Sequence, residues 1–178
     1  MTEQDILQAL DRAVRRSLGR DEIQNAIREM GRRLASDADL RIAWQALPLG
    51  IYDDLPAGVR SSWVFALRAG LTTGAERHPN SHQRVMSVIG SADLQIWDGT
   101  RWQPHRLTSR EDGALADRWL SIPPHTWHRP VIDPLEDWYV VSFHTAEADE
   151  LIEERARDDE HPDAGASRAE LYAGRLAR

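Results

Sequence analysis

The chain contains no cysteine, which removes disulfides, thiolate nucleophiles, Cys-ligated zinc and iron–sulfur clusters together. Lysine is missing as well: all 22 basic residues are arginine, so Schiff-base chemistry is excluded. The 11 glycines fall singly at turns, not in a phosphate-cradling loop, and there is no G-x-S-x-G nucleophile elbow. No apolar run approaches the roughly 18 residues of a membrane span. The first residues, MTEQDILQALDRAV, are charged and amphipathic and do not resemble a signal peptide. The expectation is a cytoplasmic protein with no membrane partner. A net charge of −7 argues against nucleic acid, which wants clustered positive charge. Any chemistry must pass through the seven histidines, the carboxylates, the hydroxyls or a bound metal.

What is present divides the 178 residues into three stretches. Residues 1–48 read as a helical segment. Ile6, Leu10, Val14 and Leu18 recur every four positions, and Ile23, Ile27, Met30 and Leu34 repeat the pattern after Gly19. Asp21 suits an N-cap for the second helix, and Ser36 with Asp39 resembles a capping box for a third helix through Trp44. This apolar stripe either docks on the rest of the chain or forms a dimer face, and a homodimer is expected. Residues 49–145 switch to a period of two, with short runs at 62–68, 84–89, 93–97, 102–107, 118–122, 127–132 and 138–144. Single Gly, the Asp98-Gly99 turn and Pro123-Pro124 punctuate them, the pattern of an antiparallel sandwich or barrel. Residues 146–178 read as a helical tail, with Thr145 capping a helix over 146–157 and Ser167 with Glu170 capping a terminal one. Seven Trp against two Phe supply most of the large aromatic surface.

His78, His82, His125 and His128 fall in two short stretches of the β region, and His144 follows on its last run. The first stretch is Gly74-Ala-Glu76-Arg-His78-Pro-Asn-Ser-His82-Gln83, closing at Gly90; the second is Pro123-Pro-His125-Thr-Trp-His128. These stretches resemble the two motifs of the cupin superfamily, commonly written G(X)5HXH(X)3,4E(X)6G and G(X)5PXG(X)2H(X)3N. His78 stands at the second His of the first motif, Glu76 at its first His, Gln83 at its Glu and Gly90 at its closing Gly. In the second motif Pro123 matches the Pro, His125 replaces the Gly and His128 matches the His. The resemblance covers roughly residues 61–144 and implies a mainly β fold, an antiparallel jelly-roll barrel, between the two helical ends.

It also implies a metal site. Residues two apart on a strand share a face, so Glu76 and His78 can point inward together. With His128 they make two imidazoles and one carboxylate, the donor set of non-haem Fe(II), which Mn, Ni, Co or Zn can also use. Gln83 is either a fourth ligand or a hydrogen-bonding partner of a bound water or substrate, and His82 replaces it if the loop at 79–81 tightens. His144, and His125 at the mouth, are candidate catalytic groups. Arg68, Arg77, Arg84 and Arg129 fall on the outward parity, so an arginine would have to reach the site from a loop. A Glu76 paired with arginine would mark the site as degenerate. Two functions follow: a metal-dependent enzyme on a small-molecule substrate, foremost an iron dioxygenase, or a non-catalytic cupin that binds a ligand or serves as a partner subunit.

Overall fold

The computed structural model describes residues 1–110 and 112–169, with the backbone alone for 17–20. Two helices open the chain, α1 (Glu3–Arg15) and α2 (Ser17–Ser36). Thr2 caps α1: its hydroxyl accepts the Asp5 N–H at 3.2 Å while the Asp5 carboxylate accepts the Thr2 N–H at 2.7 Å. Asp21 lies inside α2, not at its cap, because the helix already begins at Ser17; the Leu18 side chain is outside the described residues. The expected third helix does not form. Asp37 Oδ1 accepts the N–H groups of Asp39 and Leu40, turning the chain out of α2. Strand β1 (Ile42–Leu47) follows and pairs along its whole length with β2 (Ser61–Leu67). A nine-residue segment is too short to hold a helix against such an edge.

The remaining strands are β3 (Glu76–Arg77), β4 (Gln83–Ile89), β5 (Ser91–Trp97), β6 (Trp102–Gln103), β7 (Arg106–Thr108), β8 (Trp119–Ile122), β9 (His128–Ile132), β10 (Trp138–His144), β11 (Glu153–Ala156) and β12 (Ala166–Ala169), with one helical turn, α3 (Leu115–Arg118), before β8. They form two antiparallel sheets, ordered β1-β2-β10-β4-β8 and β12-β11-β3-β9-β5-β6, with β7 also on β5. The fold is mainly β and of jelly-roll type; its two sheets are hydrogen-bonded separately rather than as one closed barrel. No helix among the described residues is long and apolar enough to cross a membrane.

Parity along the strands decides what each face meets. On β2 and β10, Val64, Ala66, Val141 and Phe143 point to one side, where Leu10, Val14, Ile23, Ile27, Met30 and Leu34 cover them. The amphipathic stripe therefore docks on its own chain. Phe65, Leu67, Trp138 and Val140 point to the other side and face the second sheet. Polar contacts fasten the helices: Glu3 takes Arg84 and Ser121, and Asp11 takes Arg118 and the Trp119 indole. Gly90 turns β4 into β5 at φ +77°, and a Cβ there would lie 2.6 Å from the Asp137 carbonyl oxygen.

The C-terminal stretch corrects the expected helices. The 146–157 region carries strand β11, and β12 occupies the start of the expected terminal helix; its capping partner Glu170 lies outside the described residues. Helix propensity is a weak prior, and here it loses to an available sheet edge. Asn80 accepts the Ile152 N–H at 3.0 Å and donates to the Glu150 carbonyl at 2.7 Å, aiming the chain so that β11 pairs with β3.

Candidate functional site

Glu76 on β3 and His128 on β9 are directly paired residues of the second sheet, and both face the first sheet. His78 follows Glu76 by two positions and stays on its side. Their ligand atoms, one from each of Glu76, His78 and His128, all lie within 4.8 Å of one another. His128 and His78 are buried. Each imidazole has its Nδ1 against a carbonyl oxygen, His78 on Ile152 at 3.0 Å and His128 on Thr126 at 3.1 Å. A carbonyl only accepts, so Nδ1 carries the proton and, in the neutral ring, Nε2 carries the lone pair.

The Nε2 of His128 lies 3.4 Å from Glu76 Oε1 and makes no hydrogen bond. The two atoms face each other across a gap that either a proton on the ring or a bound cation would bridge. Glu76 is an anion: burial works to raise its pKa, but the Arg155 charge, with His128 and His78, overrides it and holds the carboxyl down at about 2. Burial and the neighbouring His128 push His78 down to about 4, so it is neutral at physiological pH. One atom each from two imidazoles and a carboxylate, all within 4.8 Å of one another, make a donor set that suits a divalent cation.

Arg155 is the residue that strand reading missed. It enters from β11, which had been expected as helix, and its Nη2 lies 2.9 Å from Glu76 Oε2 while its Nε lies 2.5 Å from Glu153 Oε1. An arginine thus reaches Glu76 from a strand and not a loop. It engages Oε2 and leaves Oε1 to His128, so the pairing does not close the site. The alternation Leu151, Glu153, Arg155 in the sequence was the available signal.

The other candidates separate clearly. Gln83 begins β4, is buried, lines the cavity, and its Oε1 has no hydrogen-bond donor. His82 has the opposite parity and turns to the helix side, its Nε2 2.7 Å from Ser121 Oγ and 3.8 Å from Glu3, so it does not replace Gln83. His125 sits in the β8–β9 turn at φ 64°, where the motif carries Gly; its side chain is exposed and does not line the cavity. His144 is fully buried behind the site, 5.0 Å ring to ring from His78, and burial together with His78 and His128 puts its pKa well below the usual imidazole value. It touches the cavity lining through Ser142, whose Oγ lies 3.3 Å from its Nε2, and pairs in register with Gln83. Arg77 and Arg129 face outward as parity requires, stacked on Trp127 and Trp102.

Glu76 and His128 of the donor cluster line a cavity of about 500 Å³ between the two sheets. Its walls are Trp44, Phe65, Leu67, Leu94, Trp138 and Val140, among others.

No family model matches the sequence, and no curated sequence is significantly similar to it. Solved structures with a similar fold include CapF, the capsular polysaccharide assembling protein of Staphylococcus aureus, at 14% identity and TM-score 0.49 over 64% of this chain and 31% of that one. Oxalate oxidase in complex with the substrate analogue glycolate aligns at 15% identity and TM-score 0.47, over 62% of this chain and 54% of the other. Pro-11S globulin of pumpkin aligns at 14% and 0.49, over 65% and 28%. The chain therefore spans about a third of CapF and about half of oxalate oxidase. Two antiparallel sheets flank a cavity, and both motif stretches send side chains to it, the arrangement that the resemblance of those stretches to the cupin motifs implies.

Proposed function

We propose that the protein is a metal-dependent cupin enzyme acting on a small molecule, with Glu76, His78 and His128 holding one divalent ion. Fe(II) suits two imidazoles and one carboxylate with open positions best; Mn, Ni, Co and Zn share the same donor chemistry. The reading is carried by the convergence of one ligand atom from each of Glu76, His78 and His128 within 4.8 Å of one another at the cavity. When bound, such an ion would polarise a substrate oxygen and, if iron, activate dioxygen, which makes a dioxygenase the finer proposal.

The chain's own residues prepare that chemistry. The Ile152 and Thr126 carbonyls fix both rings with Nε2 toward Glu76. Arg155 holds Oε2, so Glu76 presents a single oxygen. Gln83 places an amide oxygen on the cavity surface, and the apolar walls exclude water. Metal analysis of protein purified without a His tag tests the reading. About one ion per chain is expected, lost in both His78→Ala and His128→Ala, and oxygen-uptake screening after anaerobic Fe(II) loading then searches for the substrate. Substoichiometric metal that is unchanged in both variants refutes it.

A second reading, a non-catalytic cupin that binds a ligand in the cavity, is favoured by the Arg155–Glu76 pair and by the neutral Gln83 at the motif's Glu position. It requires protein that stays metal-free when offered Fe(II), Mn(II) and Zn(II).

A further inference from the structure

The cavity is far larger than the donor cluster needs: about 500 Å³ is room for on the order of fifteen waters at ~30 Å³ each. Its polar groups are unevenly placed. Glu76, Gln83, His128 and Arg155 gather at one end, and the long walls come from alternate residues of β1, β2, β4, β5 and β10. On those strands the inward parity reads Ile42 and Trp44, Phe65 and Leu67, Val85, Leu94, Trp138 and Val140, with Ser142 and Thr73 adding hydroxyls that lie against His144 and the Gly74 carbonyl. A hydrophilic acid or sugar would strand its polar groups along such walls without partners. The surface suits an apolar body instead, as most organic ligand sites do.

The polar end also restricts charge. Among the described residues lining the cavity, Arg155 is the only guanidinium, and two carboxylates already hold it: Nη2 on Glu76 and Nε on Glu153. With no ion bound, a ligand carboxylate would have to displace one of them or be buried opposite Glu76. A hydroxyl or keto oxygen needs neither, since it can meet the Gln83 amide or the metal-facing end as a neutral group.

We propose that the cavity binds a neutral, ring-sized organic molecule, apolar along its body, with a hydroxyl or keto oxygen at the end formed by Glu76, Gln83 and His128. This names the substrate class of the site described above and so rests on that reading, but the ligand class and the metal can fail separately.

Calorimetric titration of the full chain, as purified and after chelation, with 2-naphthol, 2-naphthoate and glycolate as probes is the test. One molecule of 2-naphthol is expected to bind per chain in both preparations. In the chelated protein it should bind at least about tenfold more tightly than 2-naphthoate, the cost of burying an unpaired charge, and glycolate should not bind. Val140→Trp, which fills the cavity centre, and Ile42→Trp, on the half-buried edge strand, should each weaken 2-naphthol by more than about tenfold. Equal or tighter binding of 2-naphthoate or glycolate to the chelated wild type overturns the proposal whether or not the variants fold. So does unchanged 2-naphthol affinity in both folded variants. Saturable 2-naphthol binding by a protein that never takes up metal supports the ligand class while refuting the metal reading. Stoichiometric metal with no 2-naphthol binding does the reverse.

Discussion

Replacing Glu3 by Gln tests how the helical layer is held on the sheet that carries Gln83. The Glu3 carboxylate spans two strands: Oε1 and Oε2 accept from Arg84 Nε and Nη2 at 2.7 and 2.9 Å, and Oε1 accepts from Ser121 Oγ at 2.6 Å. The Arg84 hydrogen bonds, aided by Ser121 and opposed by partial burial, hold the carboxyl at about 2, against an ordinary value of 4.5. A shift of that size, fully realised, is worth about 3 kcal/mol. The Glu3 side chain is 39% exposed, so solvent screening reduces this to about 1–2 kcal/mol. Arg84 is only 7% exposed and would lose its carboxylate, which places the value toward the upper end. At about 2–4 °C per kcal/mol for a chain of this length, Glu3→Gln should lower Tm by about 4–6 °C at pH 7. Because the folded pKa lies below the unfolded one, the contribution is complete above the unfolded value and is lost as pH falls through 4.5 toward 2. The gap between wild type and variant should therefore hold steady from pH 7 to about pH 5.5, shrink to roughly half or less by pH 3 and close only near pH 2. Circular dichroism melts across that range at low ionic strength measure it. Identical melting at pH 7, or a gap that persists undiminished at pH 3, refutes the charge clasp.

Arg155→Met distinguishes an arginine that steadies Glu76 from one that competes with a metal for it. The steadying role predicts about 10–100-fold weaker Fe(II) or Mn(II) binding in chelator competition, partly restored by Arg155→Lys; a competing role predicts tighter binding. Gly90→Ala should cost about 2–3 kcal/mol in urea denaturation, since it combines a positive φ with a Cβ 2.6 Å from the Asp137 carbonyl oxygen. Gly99, at φ +98° with nothing within 4 Å of its Cβ position, supplies the comparison: Gly99→Ala carries the backbone strain alone and should cost about 1 kcal/mol.

The β region was legible because its residues are sorted by parity on buried sheets. Seven short runs read at a period of two match β2, β4, β5, the β6–β7 pair, β8, β9 and β10 within a few residues. The helical stripe from Ile6 to Leu34 was legible for the same reason, being apolar at a period that only a helix aligns. Two segments were not. The stretch after Ser36 carries capping residues, but Asp37 spends its carboxylate on a turn, and Ile42 and Trp44 are inward residues of an edge strand. The 146–157 stretch is rich in Ala and Glu, which favour helix in isolation, while its fate is set by partners some 70 residues earlier. Long-range pairing of that kind left only the short alternation Leu151, Glu153, Arg155 as a local trace.

That second failure bears directly on the site, because the segment that was misread is the one that completes it. The His78-Pro79-Asn80 tripeptide grips residues 150–152 from both ends. Asn80 takes the Glu150 carbonyl and the Ile152 N–H, and the His78 Nδ1–H takes the Ile152 carbonyl. The same imidazole whose Nε2 belongs to the donor cluster is thus oriented by the chain that delivers Glu153 and Arg155. Arg77 binds Glu154 across the β3–β11 pair at 2.7 Å, and Asp159 accepts the Ala75 N–H at 2.8 Å, securing the same segment beyond β11. The sequence motifs mark the donors and contain the Thr126 that orients His128, but the Ile152 carbonyl that orients His78 and the Arg155 that holds Glu76 lie outside them. A substitution at Asn80 would therefore act on the site through Ile152 and Arg155 without touching a donor atom.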